Sequence, residues 1–205
     1  MKLRLPLLAA AAVAVIPLHA LAQRGTPAVT RLLAPLQMAA PMKQSLQTEM
    51  VRVFSGDGLA YTGPGSAYTV MGCEGTEMAA KLVDLNGDAT PEVHVEAQGT
   101  CVGGMAGGFN WVFIRSASGA WRMNLNFNGG LYPLPSRALG FVDVMAGGPG
   151  FCHGIWRWNG RGYALLCIAG EGGQRCDNPC PRTLKTDEFG ENLPAFTTSR
   201  SGAAG

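Results

Sequence analysis

Six cysteines constrain this chain more than any other feature: Cys73, Cys101, Cys152, Cys167, Cys176 and Cys180. They are even in number, widely dispersed and lack paired C-x2-C units, so their spacing favours disulfides over a zinc cage. Disulfides need an oxidising compartment, and the N-terminal residues provide a route to one. Lys2 and Arg4 form a positive n-region, Leu5 to Leu18 is apolar, and Ala20-Leu21-Ala22 supplies a small-x-small site. Residues 1–22 therefore read as a signal peptide cleaved before Gln23. The apolar run is shorter than the ~20 residues that span a bilayer, and Pro6 and Pro17 interrupt it. The expected location is periplasmic or secreted, with no membrane span in the mature chain.

Lys2 and Arg4 leave with the leader, which reduces 16 basic and 14 acidic residues to fourteen of each. The remaining basic residues are scattered singly. Nucleic acid and anionic membranes need concentrated positive charge, so neither is an expected partner. The mature length suits one domain. With 29 glycines and 13 prolines, many turns between short strands are expected rather than a helical bundle.

The expected organisation follows from local pattern. Residues 23–41, with Pro27, Pro35 and Pro41, read as a flexible lead-in. Met42, Leu46, Met50 and Phe54 recur at helical spacing, which predicts one short amphipathic helix over 42–54. Residues 55–75 are Gly-rich and read as loop. Residues 42–180, this helix and loop included, are expected to form a single β-rich domain, and 181–205 reads as a flexible tail. Val93 and Val95 alternate with His94 and Glu96, as in a half-buried strand that leaves His94 at the surface. Pro133 and Pro135 are expected to interrupt the sheet.

An internal repeat is visible. One copy runs from Glu92-Val93-His94-Val95 through Cys101 and Trp111-Val112-Phe113-Ile114-Arg115 to Trp121. The other runs from Val142-Asp143-Val144 through Cys152 and Trp156-Arg157-Trp158 to Tyr163. Each copy is a strand, a cysteine in a Gly-rich turn, an aromatic strand and an aromatic residue after a turn. The expected fold class is mainly β with minor α: an antiparallel sheet or small sandwich built from two similar β units, with one short N-terminal helix.

Asn159-Gly160 between aromatic runs is a strong hairpin signal, because both central residues of a type I′ turn need positive φ. A two-residue turn there sets Trp156 opposite Tyr163 and Cys152 opposite Cys167, within disulfide reach by Cα separation. A bulge would shift that register, and Cys101 is a rival partner for Cys152. Cys176 and Cys180 are spaced to close a small loop, which leaves Cys73 for Cys101 by elimination. Six cysteines allow fifteen pairings, and sequence alone does not choose among them.

Asp84-Leu85-Asn86-Gly87-Asp88-Ala89-Thr90-Pro91-Glu92 places oxygen donors at alternating positions. Such a set suits calcium, which takes six to eight oxygens at flexible distances. The competing reading is a polar turn whose carboxylates accept backbone amides. The segment resembles the Asp-x-Asn-Gly-Asp-Gly-x-Pro-Glu loop of FG-GAP/VCBS-type calcium-loop repeats. It is also similar to a group of uncharacterised exported bacterial proteins that join this loop to a Trp-Arg-Trp-Asn-Gly-x-x-Tyr hairpin, here Trp156 to Tyr163. The resemblance covers roughly residues 80–165. It implies calcium held between two strands, with Asp84, Asn86, Asp88 and Glu92 as side-chain ligands and the carbonyl of Thr90 beside them. This chain departs at the sixth loop position, where the family has Gly and here Ala89 stands. A β-carbon at positive φ costs on the order of 1 kcal/mol.

Catalytic signatures are sparse. His94 and His153 are the two histidines after the leader, and Cys152-His153 is no dyad because adjacent strand residues point to opposite faces. The chain lacks a G-x-S-x-G elbow, an H-E-x-x-H pair, a phosphate loop and a dinucleotide fingerprint. Asp143 with Glu92 or Asp84 is the one imaginable carboxylate pair for hydrolysis. The expected function is a non-enzymatic module that binds a protein or glycan. Trp156, Trp158 and Tyr163 are the candidate binding face, within an aromatic set that includes Trp111 and Trp121. The alternatives are a small periplasmic hydrolase using acidic residues, or a structural envelope-associated protein.

Overall fold

A computed structural model describes residues 29–56, 59–61, 68–70 and 76–185. The leader, Cys73 and most of the tail lie outside the described residues. Helix α1 spans Ala40–Gly56. Leu46, Met50 and Phe54 are fully buried along one stripe and Met42 is partly buried beside them, as the helical spacing predicts. Pro41 sits in the first turn, where its missing N–H has no helical partner to lose.

Strands β1 (Leu59–Tyr61) and β2 (Tyr68–Val70) pair antiparallel within the stretch read as loop. Eight further strands follow: β3 (Glu77–Val83), β4 (Glu92–Gln98), β5 (Gly108–Arg115), β6 (Trp121–Asn128), β7 (Gly130–Ala138), β8 (Phe141–Gly147), β9 (Cys152–Trp158) and β10 (Tyr163–Gly170). They form two antiparallel four-stranded sheets in order β3-β4-β5-β6 (sheet I) and β10-β9-β8-β7 (sheet II). The fold is mainly β, and the internal repeat is two successive meanders. The aromatics aligned by the repeat do not share a face. Trp111 and Trp121 point to the helix side of sheet I, whereas Trp156 and Tyr163 point between the sheets.

Strand alternation sorts the apolar residues into three cores. Between the sheets, Val112, Ile114, Leu125 and Phe127 meet Val142, Val144 and Tyr163, with Val83 and Leu85 at one end. On the outer face of sheet I, α1 covers Val93, Val95, Trp111, Phe113 and Trp121. Phe54 contributes edge-on contacts with Trp111 and Phe113 at ring separations of 5.3 and 6.2 Å. The stretch expected as a flexible lead-in joins this core, since Val29, Leu33 and Leu36 are buried in it. On the outer face of sheet II, Leu134, Met145, Ile155, Cys167 and Ala169 form a smaller cluster, against which Cys180 and Leu184 pack. The ordered body thus reaches Leu184, inside the segment read as tail.

Pro133 and Pro135 do not end a strand. Strand β7 runs through both, with an irregular register between Pro133 and Arg137. It is an edge strand, where a missing ladder N–H is tolerated. Gly129 alone links the two sheets, between Asn128 and Gly130. Its φ is +102°, and an added Cβ would lie 1.9 Å from the Gly147 carbonyl oxygen, so only glycine fits.

The hairpin at Asn159 corrects the predicted register. Trp158 faces Tyr163, so the loop has four residues, Asn159 to Gly162. The Asn159 side-chain carbonyl accepts the amides of Arg161 (3.0 Å) and Gly162 (3.1 Å), which widens the turn. A bulge between Leu165 and Cys167 shifts the register again. Trp156 consequently faces Leu165, and Cys152 faces Gly170 rather than Cys167.

The disulfides follow that geometry. Cys152 bonds Cys176, and Cys167 bonds Cys180, with Cα separations of 5.9 and 4.9 Å. The Cys152–Cys167 and Cys176–Cys180 pairings are therefore wrong, because the chain beyond β10 returns along it and offers each hairpin cysteine a nearer partner. Cys101 is also disulfide-bonded, and the Cys73 half of the expected Cys73–Cys101 pair lies outside the described residues. Disulfides of this kind fit an oxidising compartment. No helix among the described residues is long and apolar enough to cross a membrane.

Candidate functional site

The loop between β3 and β4 carries the predicted ion-site residues, and its side chains hold its own backbone. Asp84 Oδ1 accepts the Gly87 amide at 2.6 Å, Asn86 Oδ1 the Asp88 amide at 2.9 Å, and Asp88 Oδ1 the Thr90 amide at 2.6 Å. Asn86 Nδ2 donates to Asp88 Oδ2 at 2.9 Å. These consecutive Asx turns are what alternating Asp and Asn produce in a Gly-containing turn. Ala89 sits at φ +61°, in the left-handed region where the resembled loop has glycine.

Glu92 closes the loop at its base. It is 3 % exposed, and its Oε2 accepts the Leu85 amide at 2.7 Å. Burial, together with the charges of Asp84 and Asp88, pushes its carboxyl up to about 7, against the pull of the backbone amides. All donors here are oxygens, the set a hard cation prefers. Among the described residues, however, no three His, Cys, Asp or Glu side chains converge into a ready-made metal cage.

Two residues along β4, His94 occupies the inner face of the sandwich. It is 2 % exposed and corrects the expectation of a surface histidine. Val93 and Val95 face the helix-side core, so His94 points to the opposite face, where Asn110 and the Gly129 carbonyl at the junction of the two sheets replace water. His94 Nε2 lies 2.6 Å from Asn110 Oδ1, and Asn110 Nδ2 in turn donates to the Gly129 carbonyl. The ring's Nδ1 is buried without a hydrogen-bond partner among the described residues. Burial lowers the His94 pKa to about 4, helped by the Lys81 charge and opposed by the Asn110 contact, so the ring is neutral at pH 7.

Asp143, the proposed member of a carboxylate pair, is fully buried and engaged elsewhere. Arg157 binds it through Nε (2.9 Å) and Nη2 (2.6 Å), and Ser136 Oγ donates to Oδ2 at 2.5 Å. This pairing raises the Arg157 pKa. Glu92 and Asp143 thus each have separate internal partners. Glu49 on α1 binds Arg52 through both carboxylate oxygens (2.8 and 2.7 Å) and accepts the Met123 amide at 3.3 Å. The Arg52 hydrogen bond leads in holding its carboxyl below the ordinary range. His153 lies 3.7 Å from Glu171, and its neighbour Cys152 is in a disulfide.

The aromatic trio lines the inter-sheet core. Tyr163 is buried and its hydroxyl donates to the Val142 carbonyl at 2.9 Å; burial raises its pKa. Trp158 is half-buried and stacks on Phe141 at 4.3 Å, and Trp156 is half-buried beside them. Among the described residues, the exposed large apolar side chains are Met105, Tyr132, Leu139, Phe151 and Leu165. Asn110 and Arg157 were not foreseen as partners of His94 and Asp143. An Asn inside Phe109-Asn110-Trp111, and an Arg between two tryptophans, were the available signals. No family model, curated protein or solved structure matches this chain.

Proposed function

We propose that this chain is an exported, disulfide-stabilised β module of the periplasm or extracellular space that acts by binding a protein or glycan, not by catalysis. One observation carries the reading: the buried acids are each committed to an internal partner, Glu92 to the Leu85 amide, Asp143 to Arg157 and Ser136, and Glu49 to Arg52. A carboxylate fixed in this way holds structure and is poorly placed to exchange protons with a substrate. The reading is tested by intact mass of the chain from a periplasmic fraction, before and after reduction. A mass lacking residues 1–22, which rises by two hydrogens per disulfide, supports it. A full-length cytoplasmic species with free thiols overturns it. Equal rates of glycosidic or peptide-bond hydrolysis by the wild type and by Asp143→Asn and Glu92→Gln variants support binding over catalysis, and loss of a measurable activity in both overturns it.

The proposal extends to calcium at the 84–92 loop, through Asp84, Asn86, Asp88 and Glu92 side chains and the Thr90 carbonyl. The all-oxygen donor set, and the Asp84 and Asp88 charges felt by Glu92, support this. Binding would draw the side chains away from the loop amides they now hold, which points to weak affinity. Thermal melting in chelator and in millimolar calcium tests it: a higher melting temperature with calcium is expected, and no rise overturns the assignment.

A further inference from the structure

The segment after β10 turns through Glu171–Gly173 and comes back beside the outermost strand of sheet II, touching it at one parallel bridge. Its non-covalent attachment is slight. The Ile168 amide donates to the Asn178 carbonyl (2.9 Å), the Cys180 amide to the Ile168 carbonyl (3.3 Å), and Asn178 Nδ2 to the Leu166 carbonyl (3.2 Å). Ile168 and Pro179 form a single parallel bridge. Between residues 174 and 184 no residue is fully buried, and only Cys176, Cys180 and Leu184 are partly so. Two disulfides supply most of what holds the segment down.

Those disulfides differ in access. Cys152 is exposed and Cys176 partly buried, whereas Cys167 is 2 % exposed within the small outer core of sheet II. They also anchor different parts. Cys176 ties the turn to the start of β9, and Cys180 holds the stretch that pairs with Ile168.

We propose that residues 174–184 form a two-stage redox strap. A dithiol reductant opens Cys152–Cys176 first and leaves the strap tethered at Cys180, and only opening of Cys167–Cys180 uncovers the outer edge of β10. In each stage a reductant thiolate attacks one sulfur of the disulfide and forms a mixed disulfide. The reductant's second thiol then displaces the protein sulfur. The reductant ends as its own disulfide, and the two cysteines take up two electrons and two protons as thiols. The order follows from access, because the outer bond offers an exposed sulfur at Cys152, whereas the inner bond joins the buried Cys167 to a Cys180 that is itself partly buried. The outcome of the second stage follows from the edge: once Asn178 and Cys180 leave, Ile168 presents an unpaired amide and carbonyl at the sheet margin.

The test is graded reduction of the oxidised chain by dithiothreitol, read by differential alkylation and by amide hydrogen exchange. Alkylation of Cys152 and Cys176 is expected at ~10-fold lower reductant than that of Cys167 and Cys180. Protection of the Ile168 amide should survive the first stage and fall at least ~10-fold at the second, while β4 and β5 stay protected. Paired Cys152→Ser and Cys176→Ser substitutions should keep Ile168 protected, and paired Cys167→Ser and Cys180→Ser substitutions should release it. Simultaneous alkylation of all four cysteines, loss of Ile168 protection at the first stage, or its retention after the second overturns the proposal. Loss of protection across β4 and β5 together with Ile168, while Cys101 remains unalkylated, also overturns it, since the inner disulfide would then hold the whole fold and not a strap. The wild-type titration gives these answers even where a variant does not fold.

Discussion

The outer face of sheet I is covered by a seventeen-residue helix whose Leu46, Met50 and Phe54 are fully buried. The outer face of sheet II is covered by an irregular segment that buries little and is tied down by Cys152–Cys176 and Cys167–Cys180. Both sheets are four-stranded meanders with an apolar outer face, so the problem each cover solves is the same. The helix solves it with area, at roughly 1.5–3 kcal/mol for each large apolar side chain taken from water. The strap has too few apolar side chains for that and depends on covalent closure, which acts chiefly by restricting the unfolded chain. The helix cover itself should therefore be indifferent to reductant and the strap sensitive to it, the crosslink at Cys101 being the one place where sheet I shares that sensitivity among the described residues.

The largest effect should come from the helix side. Phe54→Ala removes a ring packed on Trp111 and Phe113 and should cost about 3–5 kcal/mol. Urea unfolding would measure it, and the loss should be equal with and without reductant. A loss that shrinks on reduction would mean that the two covers are not independent.

Next come the crosslinks. Paired Cys167→Ser and Cys180→Ser substitutions should cost about 3 kcal/mol by loop-closure entropy, with hydrogen-exchange protection falling first in β10. The same denaturant titration measures it. A loss that spreads evenly over both sheets would break the contrast.

A third experiment probes the interior that the two sheets share. The folded His94 pKa of about 4 lies below its ordinary 6.5, so the unfolded state binds the extra proton and stability is lost as pH falls across that window. The folded Glu92 pKa of about 7 lies above its ordinary 4.5, so the folded state keeps a proton that the unfolded state releases, and stability is gained as pH falls from 7. Each effect is on the order of 3 kcal/mol, and they oppose. Between pH 7 and 4.5, in chelator, the wild type should be nearly flat in urea midpoint. His94→Gln should become more stable toward acid and Glu92→Gln less stable. Parallel profiles for both variants would refute the opposed pair.

The smallest expected change is at the loop that joins β3 to β4. Ala89→Gly relieves a β-carbon at φ +61° and should stabilise by about 0.5–1 kcal/mol, after the greater flexibility of glycine in the unfolded chain is subtracted. A thermal melt rising by a few degrees is the readout.

Much of this architecture was legible in the residues. The stripe of Leu46, Met50 and Phe54 marks the helix face, and two similar runs around Cys101 and Cys152 mark the two meanders. Legibility ended where a distant partner decides. Strand alternation reports that His94 points away from Val93 and Val95, but not whether water or another sheet lies there. The hairpin register failed because the Asn159 side chain captures two amides and adds two residues to the loop, and because a bulge adds another beyond Leu165. Disulfide partners were missed for the same reason: Cys176 and Cys180 reach β9 and β10 only after the chain reverses, which no local spacing records. The loop at 84–92 was legible as a polar turn, since its side-chain-to-amide bonds join residues adjacent in sequence, whereas the positive φ at Ala89 was implied only by the family resemblance.

The one-residue passage from β6 to β7 decides where this molecule tolerates foreign sequence. Gly129 is held from both sides, its amide donating to the Gly108 carbonyl (2.9 Å) and its carbonyl accepting from Asn110. A reporter peptide spliced beside it would push apart the seam on which the sandwich closes. The exposed turn from Ser116 to Ser118, at the tip of the β5–β6 hairpin, gives the same label an outlet into solvent and leaves both sheets whole.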